Sequence, residues 1–281
     1  MTAKETLWII MRSPKAAPRS HSFGASVSKV ARRVEDSEAV PTSGDSTSPG
    51  PDISQALRQQ IELRSQVDIT NSLATTPELV AGLDVSYEVG TRRVAAAAIV
   101  MESRTFEVRE ASDAFGEVNF PYVPGLLAFR EVPILLEALE KLSCRPEVLV
   151  CDGYGIAHPR RFGLACHIGV LTGLPSFGVA KSPFIGTFAE PGAKRGEWSP
   201  LSDDGEIVGR ALRTQACIRP VFVSVGHRID LDQATDLTLT LSRRYRIPEA
   251  IRKADFHSRE ALRKFPQKIK GDDAKEDLTA T

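Results

Sequence analysis

The chain has 281 residues, which is long enough to bury a substantial core in one or two domains. Its 36 basic and 36 acidic residues cancel, which excludes a protein that binds nucleic acid through a global positive charge, so any such site must be a local patch. No run approaches the roughly 18 apolar residues of a membrane span, so we expect a soluble protein with no membrane partner.

The four cysteines show no C-x-x-C spacing and stand in apolar surroundings. This pattern argues against a zinc or disulfide framework and predicts buried, reduced thiols in a cytoplasmic protein. The cysteines are Cys144, Cys151, Cys166 and Cys217.

Residues 1–52 differ in composition from the rest of the chain, since Ser, Pro, Gly and Ala dominate and no periodic apolar pattern is present. Such a segment cannot bury enough surface to offset its chain entropy, so we predict a disordered N-terminal extension. The stretch up to Arg33 is basic and Ser-rich, with Glu5 as its only acid, in which it resembles a transit peptide. A loose tail and an upstream start codon are the alternatives.

From residue 53 onward the apolar positions become periodic and predict an ordered domain over residues 53–262. The predicted elements are a helix at 53–67, strands at 79–87, 93–101 and 105–111, a helix at 131–142, a strand ending at Asp152, a helix at 161–171, a strand at 176–180, a hairpin at 196–214, a strand at 220–225 and a helix at 231–245. The small residues 95–98 indicate close packing of the second strand against a helix. The polar residues 263–281 are expected to form a flexible tail.

A meander followed by alternating helices and strands is typical of an α/β domain with a mixed sheet and helices on its faces. In such a sheet we expect ligands at the carboxyl ends of the strands. The residues at those strand ends are therefore the first candidates for function.

Two acidic residues interrupt or end strands that are otherwise apolar. Asp152 ends the run at residues 148–151 and opens a loop in which Gly153 and Gly155 allow backbone to approach a ligand closely. Asp84 stands within a second apolar strand, where an acid is costly unless it is paired or bound to a cation. A salt bridge or a turn carboxylate is the alternative for Asp84. Two such acids in one sheet would repel each other unless a divalent cation such as Mg²⁺ lay between them.

Four further residues carry weaker signals, each with an ordinary structural alternative. Glu131 begins a helix, where an acid is also favourable to the helix dipole. Lys181 follows an apolar strand and either holds a scissile phosphate as a point charge or extends into solvent. His158, beside two arginines, is a phosphate donor, a proton carrier or an ordinary loop histidine. Asp255 lies among charged residues, and by itself it indicates a surface position.

Residues 120–126 contain an aromatic side chain, Tyr122, bracketed by Pro121 and Pro124. Two prolines stiffen a loop, and a rigid, exposed aromatic can act as a wedge in a base stack when a protein extrudes a base. The alternative is a tyrosine packed beneath a Pro-rich turn.

Taken in order and with their intervals, these segments resemble endonuclease V, the nuclease family specific for deaminated purines. The matching segments are residues 82–87, 121–125, 129–131, 152–160 with His167, 178–182, 223–227 and 245–255. The resemblance covers residues 53–260 and excludes both tails. It implies an RNase H-like α/β fold and hydrolysis of a phosphodiester with Mg²⁺, for which Mn²⁺ can substitute. We also expect a monomer.

The resemblance also implies the substrate and the site. The substrate would be DNA containing deoxyinosine, or RNA containing inosine, cut at the second phosphodiester bond 3′ to the hypoxanthine base to leave a 3′-OH and a 5′-phosphate, as in DNA repair. The metal ligands would be Asp84, Asp152 and Glu131, with Asp255 as a further acid. The catalytic group would also include Lys181 at the phosphate and the active-site residue His158. The wedge would be Tyr122 with Pro121 and Pro124. The base pocket would involve Gly125, Leu127, Gly153 and Gly163.

Three sites depart from the family pattern. Cys166 stands where serine is usual, which should matter little. Ala250 and Ile251 replace a Pro-Thr pair and alter the approach of Asp255. Phe184 replaces an aliphatic residue near the base pocket, which affects lesion preference. Two other hypotheses are a different RNase H-like nuclease, such as a junction resolvase, and a non-catalytic module that binds inosine-containing nucleic acid.

Overall fold

The computed structural model describes residues 52–69 and 73–264, so the predictions for residues 1–51 and for the tail from residue 265 lie outside the described residues. The helices in the described part are α1 Ile53–Arg64, α2 Ala128–Glu140, α3 Leu164–Thr172, α4 Leu231–Leu241 and α5 Glu249–Lys264. The strands are β1 Leu79–Tyr87, β2 Arg93–Glu102, β3 Val108–Glu117, β4 Val148–Asp152, β5 Ser176–Ala180, β6 Trp198–Asp203, β7 Glu206–Leu212 and β8 Val221–His227. None of these helices is long and apolar enough to cross a membrane.

The strands form one mixed sheet with the order β3-β2-β1-β4-β5-β8-β7-β6, which confirms the predicted α/β architecture. The central strands β1, β4 and β5 are parallel, and β2 and β8 flank them in antiparallel pairing. The carboxyl ends of the three parallel strands therefore meet at one edge of the sheet. Leu83 of β1 pairs with Cys151 of β4, so the next residues, Asp84 and Asp152, lie level with each other.

The two faces of the sheet build separate apolar cores. One face packs against α2 and α3 and includes Leu83 and Cys151. The other face packs against α5 and α4 and includes Val150 of the central strand. Because side chains alternate along a strand, Asp84 and Asp152 project toward the face that carries α5.

Helix α5 was not predicted from the sequence. Its buried positions are mostly small, including Ala250, Ala254 and Ala261, so no periodicity of large apolar residues marks the helix. The same small residues let the helix lie close to the sheet: a Cβ on Gly82 of β1 would lie 2.1 Å from the backbone oxygen of Ala250. The alanines at 95–98 of β2 are fully buried, with Ala96 and Ala98 in the core that packs against α2 and α3, and both α5 and α2 contact this strand, which confirms the predicted close contact with a helix.

Several predicted boundaries were wrong: the helix predicted at 231–245 ends at Leu241, and two elements start later than predicted because of local backbone turns. Strand β3 begins at Val108 rather than at residue 105, since Phe106 closes the hairpin turn with φ 67°. It then continues through polar residues to Glu117, as an edge strand with a solvent-facing side can. Helix α3 begins only at Leu164, because Arg161 has φ 54° and the N-cap residue Gly163 is extended, so neither is part of the helix.

The prediction of cysteine burial was wrong for one residue. Cys151 and Cys166 are buried and Cys144 is partly buried, but Cys217 is exposed. Cys217 lies in the loop between β7 and β8 with φ 60°, so its apolar neighbours in sequence do not cover it. All four thiols are free of disulfide bonds.

Candidate active site

Acidic and basic side chains converge where the parallel strands end. Asp84 lies in β1, Asp152 is the last residue of β4, and Lys181 follows β5 directly. Asp152 pairs with Val179 of β5, which puts Lys181 two residues beyond the same level. Together with Asp255 of α5, they line one cleft with a volume of about 590 Å³. Four residues that are far apart in the chain thus share one cavity.

Asp84 is partly buried and accepts a hydrogen bond from a side chain of α5. Ser258 Oγ lies 3.0 Å from Asp84 Oδ2 and also 3.0 Å from the backbone oxygen of Asp255, while Ser86 Oγ lies 2.8 Å from Ser258 Oγ. Ser258 has one hydroxyl proton, so donation to the Asp84 carboxylate is best completed by donation from Ser86 to Ser258. Burial raises the pKa of Asp84 to about 7, and the negative charge of Asp152 adds to the rise.

Asp152 is paired with Lys181. Lys181 Nζ donates to Asp152 Oδ2 at 2.6 Å, and the lysine side chain is 57% exposed at the mouth of the cleft. Burial alone would lower the pKa of Lys181, but the hydrogen bond and the charge of Asp152 outweigh it and the pKa is raised. Lys181 therefore carries its positive charge next to the two aspartates.

Glu131 approaches the strand ends from α2, in the helical layer opposite α5. Its Oε1 accepts a hydrogen bond from the Tyr87 hydroxyl at 3.1 Å. Burial raises the pKa of Glu131 to about 8; the Tyr87 hydrogen bond opposes this, and the charges of Asp84 and Asp152 add to it. Glu131 is close enough to be influenced by both aspartates, but Tyr87 rather than Glu131 lines the cleft.

Asp255 lies on α5 and faces the cleft, although its charged sequence neighbours indicated an ordinary surface residue. Its Oδ1 lies 2.7 Å from Arg259 Nη2, and Arg259 and Arg263 also line the cleft. The cleft therefore has carboxylates at its base and arginines along one wall.

The carboxylates suit a hard divalent cation. Among the residues that the structure describes, no three His, Cys, Asp or Glu side chains are grouped so as to hold a metal ion by themselves. Mg²⁺ is usually held by only one or two carboxylates, with waters and substrate phosphates completing its shell. Asp84 and Asp152 fit this mode of binding, because a cation would offset both the burial of the Asp84 carboxylate and its repulsion by Asp152, which together raise the pKa of Asp84.

His158, predicted as an active-site residue, is buried and does not line the cleft. Its Nε2 lies 3.0 Å from the backbone oxygen of Gly125, and its Nδ1 lies 3.1 Å from the backbone nitrogen of Arg160. Burial lowers the pKa of His158 to about 3, with the charge of Arg160 adding to the effect, so the ring is neutral. The matching tautomer donates from Nε2 to Gly125 and accepts at Nδ1 from Arg160. In this structure His158 anchors the loop that carries Tyr122.

Tyr122 is presented to solvent on a loop that is held at both ends. Its side chain is 70% exposed, so it is not packed beneath the turn. At one end Arg130 Nη1 donates to the backbone oxygen of Phe120 at 2.9 Å. At the other end Gly125 has φ 80°, a conformation that glycine adopts without steric cost. The exposure agrees with the predicted wedge, whose function stays a prediction.

The other predicted pocket residues surround this loop and the turn after β4. Leu127 is 39% exposed next to the start of α2. Gly153 has φ 147°, and a Cβ on Gly163 would lie 2.4 Å from the backbone oxygen of Tyr154, so packing at the start of α3 requires a glycine there. The ring of Phe184 lies 5.3 Å from that of Tyr154. Contact of these residues with a base stays a prediction.

Two buried polar residues of this region, Gln60 and Ser258, were not predicted from the sequence. Gln60 of α1 is 1% exposed. Its position on the helix between Ala56 and Leu63, which are also buried, could have indicated that this glutamine is buried. Ser258 is fully buried on α5, three residues after Asp255, and its signal was hidden because the helix itself was not predicted.

Comparisons with known proteins agree with the resemblance. The sequence model of the family Endonuclease V matches residues 61–256. An endonuclease V from Streptomyces avermitilis is 57% identical over 211 residues, which cover 74% of this chain and 92% of that protein.

Two solved structures extend the comparison. The crystal structure of endonuclease V from Streptomyces avermitilis has a TM-score of 0.73 at 52% identity, covering 76% of this chain and 94% of that one. Endonuclease V from Ciona intestinalis, in complex with a 24mer DNA containing an inosine followed by a ribo-adenosine, has a TM-score of 0.68 at 28% identity, covering 76% of this chain and 99% of that one. The likeness confirms the predicted fold class, an RNase H-like mixed sheet flanked by helices.

Proposed function

Because this chain belongs to the endonuclease V family and is an endonuclease, we propose that it nicks DNA at the second phosphodiester bond 3′ to deoxyinosine, leaving a 3′-OH and a 5′-phosphate, in the repair of deaminated purines. The observation that carries this proposal is the convergence of Asp84, Asp152, Lys181 and Asp255 on one cleft. A relative from Ciona intestinalis bound to inosine-containing DNA supports the choice of substrate.

Nucleases of this family depend on a metal ion, and we assign Mg²⁺ to the cleft, with Mn²⁺ as a substitute. Asp84 and Asp152 would hold it, with Glu131 and Asp255 as the neighbouring acids. Such an ion supplies an activated water and charge stabilisation at a leaving oxygen. Ser258 and Tyr87 orient two of these acids through their hydroxyl groups, at 3.0 Å to Asp84 and 3.1 Å to Glu131.

Lys181 is the cationic side chain next to the reacting phosphate in this proposal. The Lys181 ammonium group contacts Asp152 at 2.6 Å, and the side chain is more than half exposed. The ammonium group can therefore contact Asp152 and a phosphate that enters the cleft at the same time. A positive charge at this position stabilises the charge that develops on phosphoryl oxygens in the transition state. Arg259 and Arg263 on the adjacent wall extend the favourable potential for a polyanion.

Selection of the lesion rests on Tyr122 and the residues behind it. An inosine pair is weaker than a normal pair, so unstacking it costs less free energy than unstacking an undamaged pair. The exposed ring of Tyr122, with Pro121 and Pro124 beside it, would enter the base stack as a wedge. Gly125, Leu127, Gly153 and Gly163 would border the pocket for the extruded base.

The test is cleavage of matched oligonucleotides that carry one inosine, as duplex DNA, single-stranded DNA and RNA, with Mg²⁺ and with EDTA. We expect a single nick in the DNA, one nucleotide beyond the bond that adjoins inosine on its 3′ side, and no nick with EDTA. An undamaged oligonucleotide of the same sequence is the control. Cleavage of the control at the same rate, or nicking that persists in EDTA, would contradict the proposal. A junction and a bulky adduct complete the panel, since preference for either would assign a different RNase H-like nuclease.

A further inference from the structure

The loop of residues 120–126, which we call the Tyr122 loop, ends near a backbone oxygen that accepts hydrogen bonds from three different side chains. The oxygen of Gly125 lies 3.0 Å from Gln60 Nε2, 2.7 Å from Arg160 Nη2 and 3.0 Å from His158 Nε2. A carbonyl oxygen has two lone pairs, so two donors are enough to satisfy it when it is buried, and this oxygen has three. We call Gln60, His158 and Arg160, together with the oxygen they contact, the Gly125 clamp.

Gln60 is the member of the clamp that joins separate parts of the chain. One hydrogen of its Nε2 points to the oxygen of Gly125 and the other to the oxygen of Phe162 at 2.9 Å, while its Oε1 accepts from Arg160 Nε. The side chain is 1% exposed, so these bonds are made in the absence of competing water. A glutamine amide satisfies this set, because two donors and one acceptor are needed in a fixed arrangement.

The clamp lies between the Tyr122 loop and the loop that follows Asp152. Gly125 stands three residues after Tyr122, while His158, Arg160 and Phe162 all belong to the segment between β4 and α3. Arg130 holds the other end of the Tyr122 loop through the oxygen of Phe120. The tip of the loop is therefore exposed while both ends are fixed to the body of the protein.

We propose that Gln60 is a positioning residue for strand opening. Through the Gly125 clamp it fixes the Tyr122 loop against the loop after Asp152. The Tyr122 loop therefore keeps its position when the ring of Tyr122 enters a base stack. The inference rests on the proposed function, since it assigns a mechanical basis to the wedge. It also assigns His158 and Arg160 to this clamp, which explains why a histidine near the site is buried and neutral.

Packing alone would not require a glutamine at this position. Residues Ala56 and Leu63 on the same face of α1 are apolar, and a methionine could fill the volume of Gln60. A glutamate would fill it too, but it would turn an oxygen toward the carbonyl oxygens of Gly125 and Phe162 in place of a donor. Both substitutions therefore keep the volume of Gln60 while removing its donors to the oxygens of Gly125 and Phe162.

The first test measures the clamp in the free protein. Hydrogen–deuterium exchange is followed in the full-length wild type, in Gln60→Met and in Gln59→Met, whose residue is the neighbouring glutamine on α1. We expect amides of residues 120–126 to exchange about tenfold faster in Gln60→Met, from loss of about one net hydrogen bond, and at the wild-type rate in Gln59→Met. If Gln60→Met does not fold, Gln60→Glu decides the same question. Unchanged exchange at residues 120–126 would overturn the clamp.

The second test measures the consequence for DNA. The kcat/KM values for matched inosine duplex and inosine single strand are compared, and the loss in Gln60→Met is expected to be about tenfold larger on the duplex. The fluorescence of 2-aminopurine placed beside the inosine reports unstacking on binding without Mg²⁺, and we expect a smaller increase with the variant. Equal losses on both substrates, with an unchanged fluorescence increase, would overturn the link to strand opening while leaving the proposed function intact. If the wild type cleaves neither substrate, the proposed function fails, and the exchange rates alone decide the clamp.

Discussion

The cleft and the Gly125 clamp both gather polar groups at the ends of the central strands, but they satisfy those groups in opposite ways. In the clamp, donors outnumber the lone pairs of the oxygen they share, and the histidine is neutral. In the cleft, acids face one another: burial and the charge of Asp152 raise the pKa of Asp84 to about 7. Burial, with the charges of Asp84 and Asp152, also raises the pKa of the neighbouring Glu131 to about 8, although Glu131 does not line the cleft itself. The clamp is complete within the protein, whereas the cleft sets three aspartates against Lys181, Arg259 and Arg263 and keeps Asp84 close to the charge of Asp152.

This difference separates residues that serve the fold from residues that serve the reaction. Loss of a clamp member leaves buried donors or acceptors without partners, so it costs stability and order. Loss of a cleft carboxylate relieves repulsion, so it costs little stability and removes a ligand for a cation. Substitutions in the clamp should therefore lower stability more than they lower the rate of cleavage at the cleft. Substitutions of the cleft carboxylates should lower the rate of cleavage and change stability little.

The largest effect is expected for Asp152→Asn. Removing one of the two carboxylates that would hold Mg²⁺ should lower cleavage of inosine DNA by about 10³-fold or more, since a catalytic metal contributes several kcal/mol. Binding of the uncleaved oligonucleotide and the melting temperature should change little. Rates, a gel-shift titration and a thermal melt are compared with Asp236→Asn, an exposed aspartate on α4. Turnover near the wild-type rate would remove Asp152 from the site.

Lys181→Met should have the next largest effect. Loss of a preorganised charge at the phosphoryl oxygens is expected to lower kcat by about 10²-fold with a smaller change in KM. Lys181→Arg should restore part of the rate, since it keeps the charge but changes its geometry. Lys253→Met on α5 is the matched control, because that lysine does not line the cleft. A loss that appears only in KM would assign Lys181 to substrate binding.

The central strands that carry the cleft could be predicted from the sequence, because alternating or continuous apolar residues are a recognisable pattern of strands. β1 and β5 were predicted with the bounds that the structure has, and the acid at the end of β4 was recognised from the run before it. Asp84 and Asp152 were considered together because both are acids in apolar strands of one sheet. That β1 and β4 are parallel neighbours, which puts the two residues level with each other, was learned from the structure.

The two supporting layers could not be predicted in the same way. Helix α5 packs through alanines and Ser258, which carry little apolar periodicity, so the helix and its serine were both missed. The clamp depends on Gln60 meeting Gly125 and Phe162 across long intervals of chain, and no local pattern records such a contact. His158 was noticed for its loop, but only the structure distinguishes a buried anchor from a phosphate donor.

Tyr122→Ala tests the exposed tip of the structure that the clamp holds. We expect cleavage of the inosine duplex to fall about tenfold more than cleavage of the single strand, since unstacking a base costs a few kcal/mol and the single strand largely avoids that cost. Tyr122→Phe keeps the ring and should stay near wild type on both substrates. The ratio of the two kcat/KM values is the measurement. A Phe variant as impaired as the Ala variant would show that the hydroxyl, rather than the ring, is what matters.

The smallest expected effect belongs to the hydroxyl that orients Asp84. Ser258→Ala removes the hydrogen bond to Asp84 Oδ2 at 3.0 Å but leaves the carboxylate in place. The Mg²⁺ concentration that gives half-maximal cleavage should rise about threefold, as expected for one lost hydrogen bond, and the rate at saturating Mg²⁺ should be nearly restored. The Mg²⁺-induced rise in melting temperature, measured without DNA, should shift to higher concentration by the same factor. Ser242→Ala is the matched control, because Ser242 is also buried and its hydroxyl has no hydrogen-bond partner within the described residues. An equal shift in both variants would mean that the effect comes from losing a buried hydroxyl in general, and Asp84 would then be oriented by the strand rather than by α5.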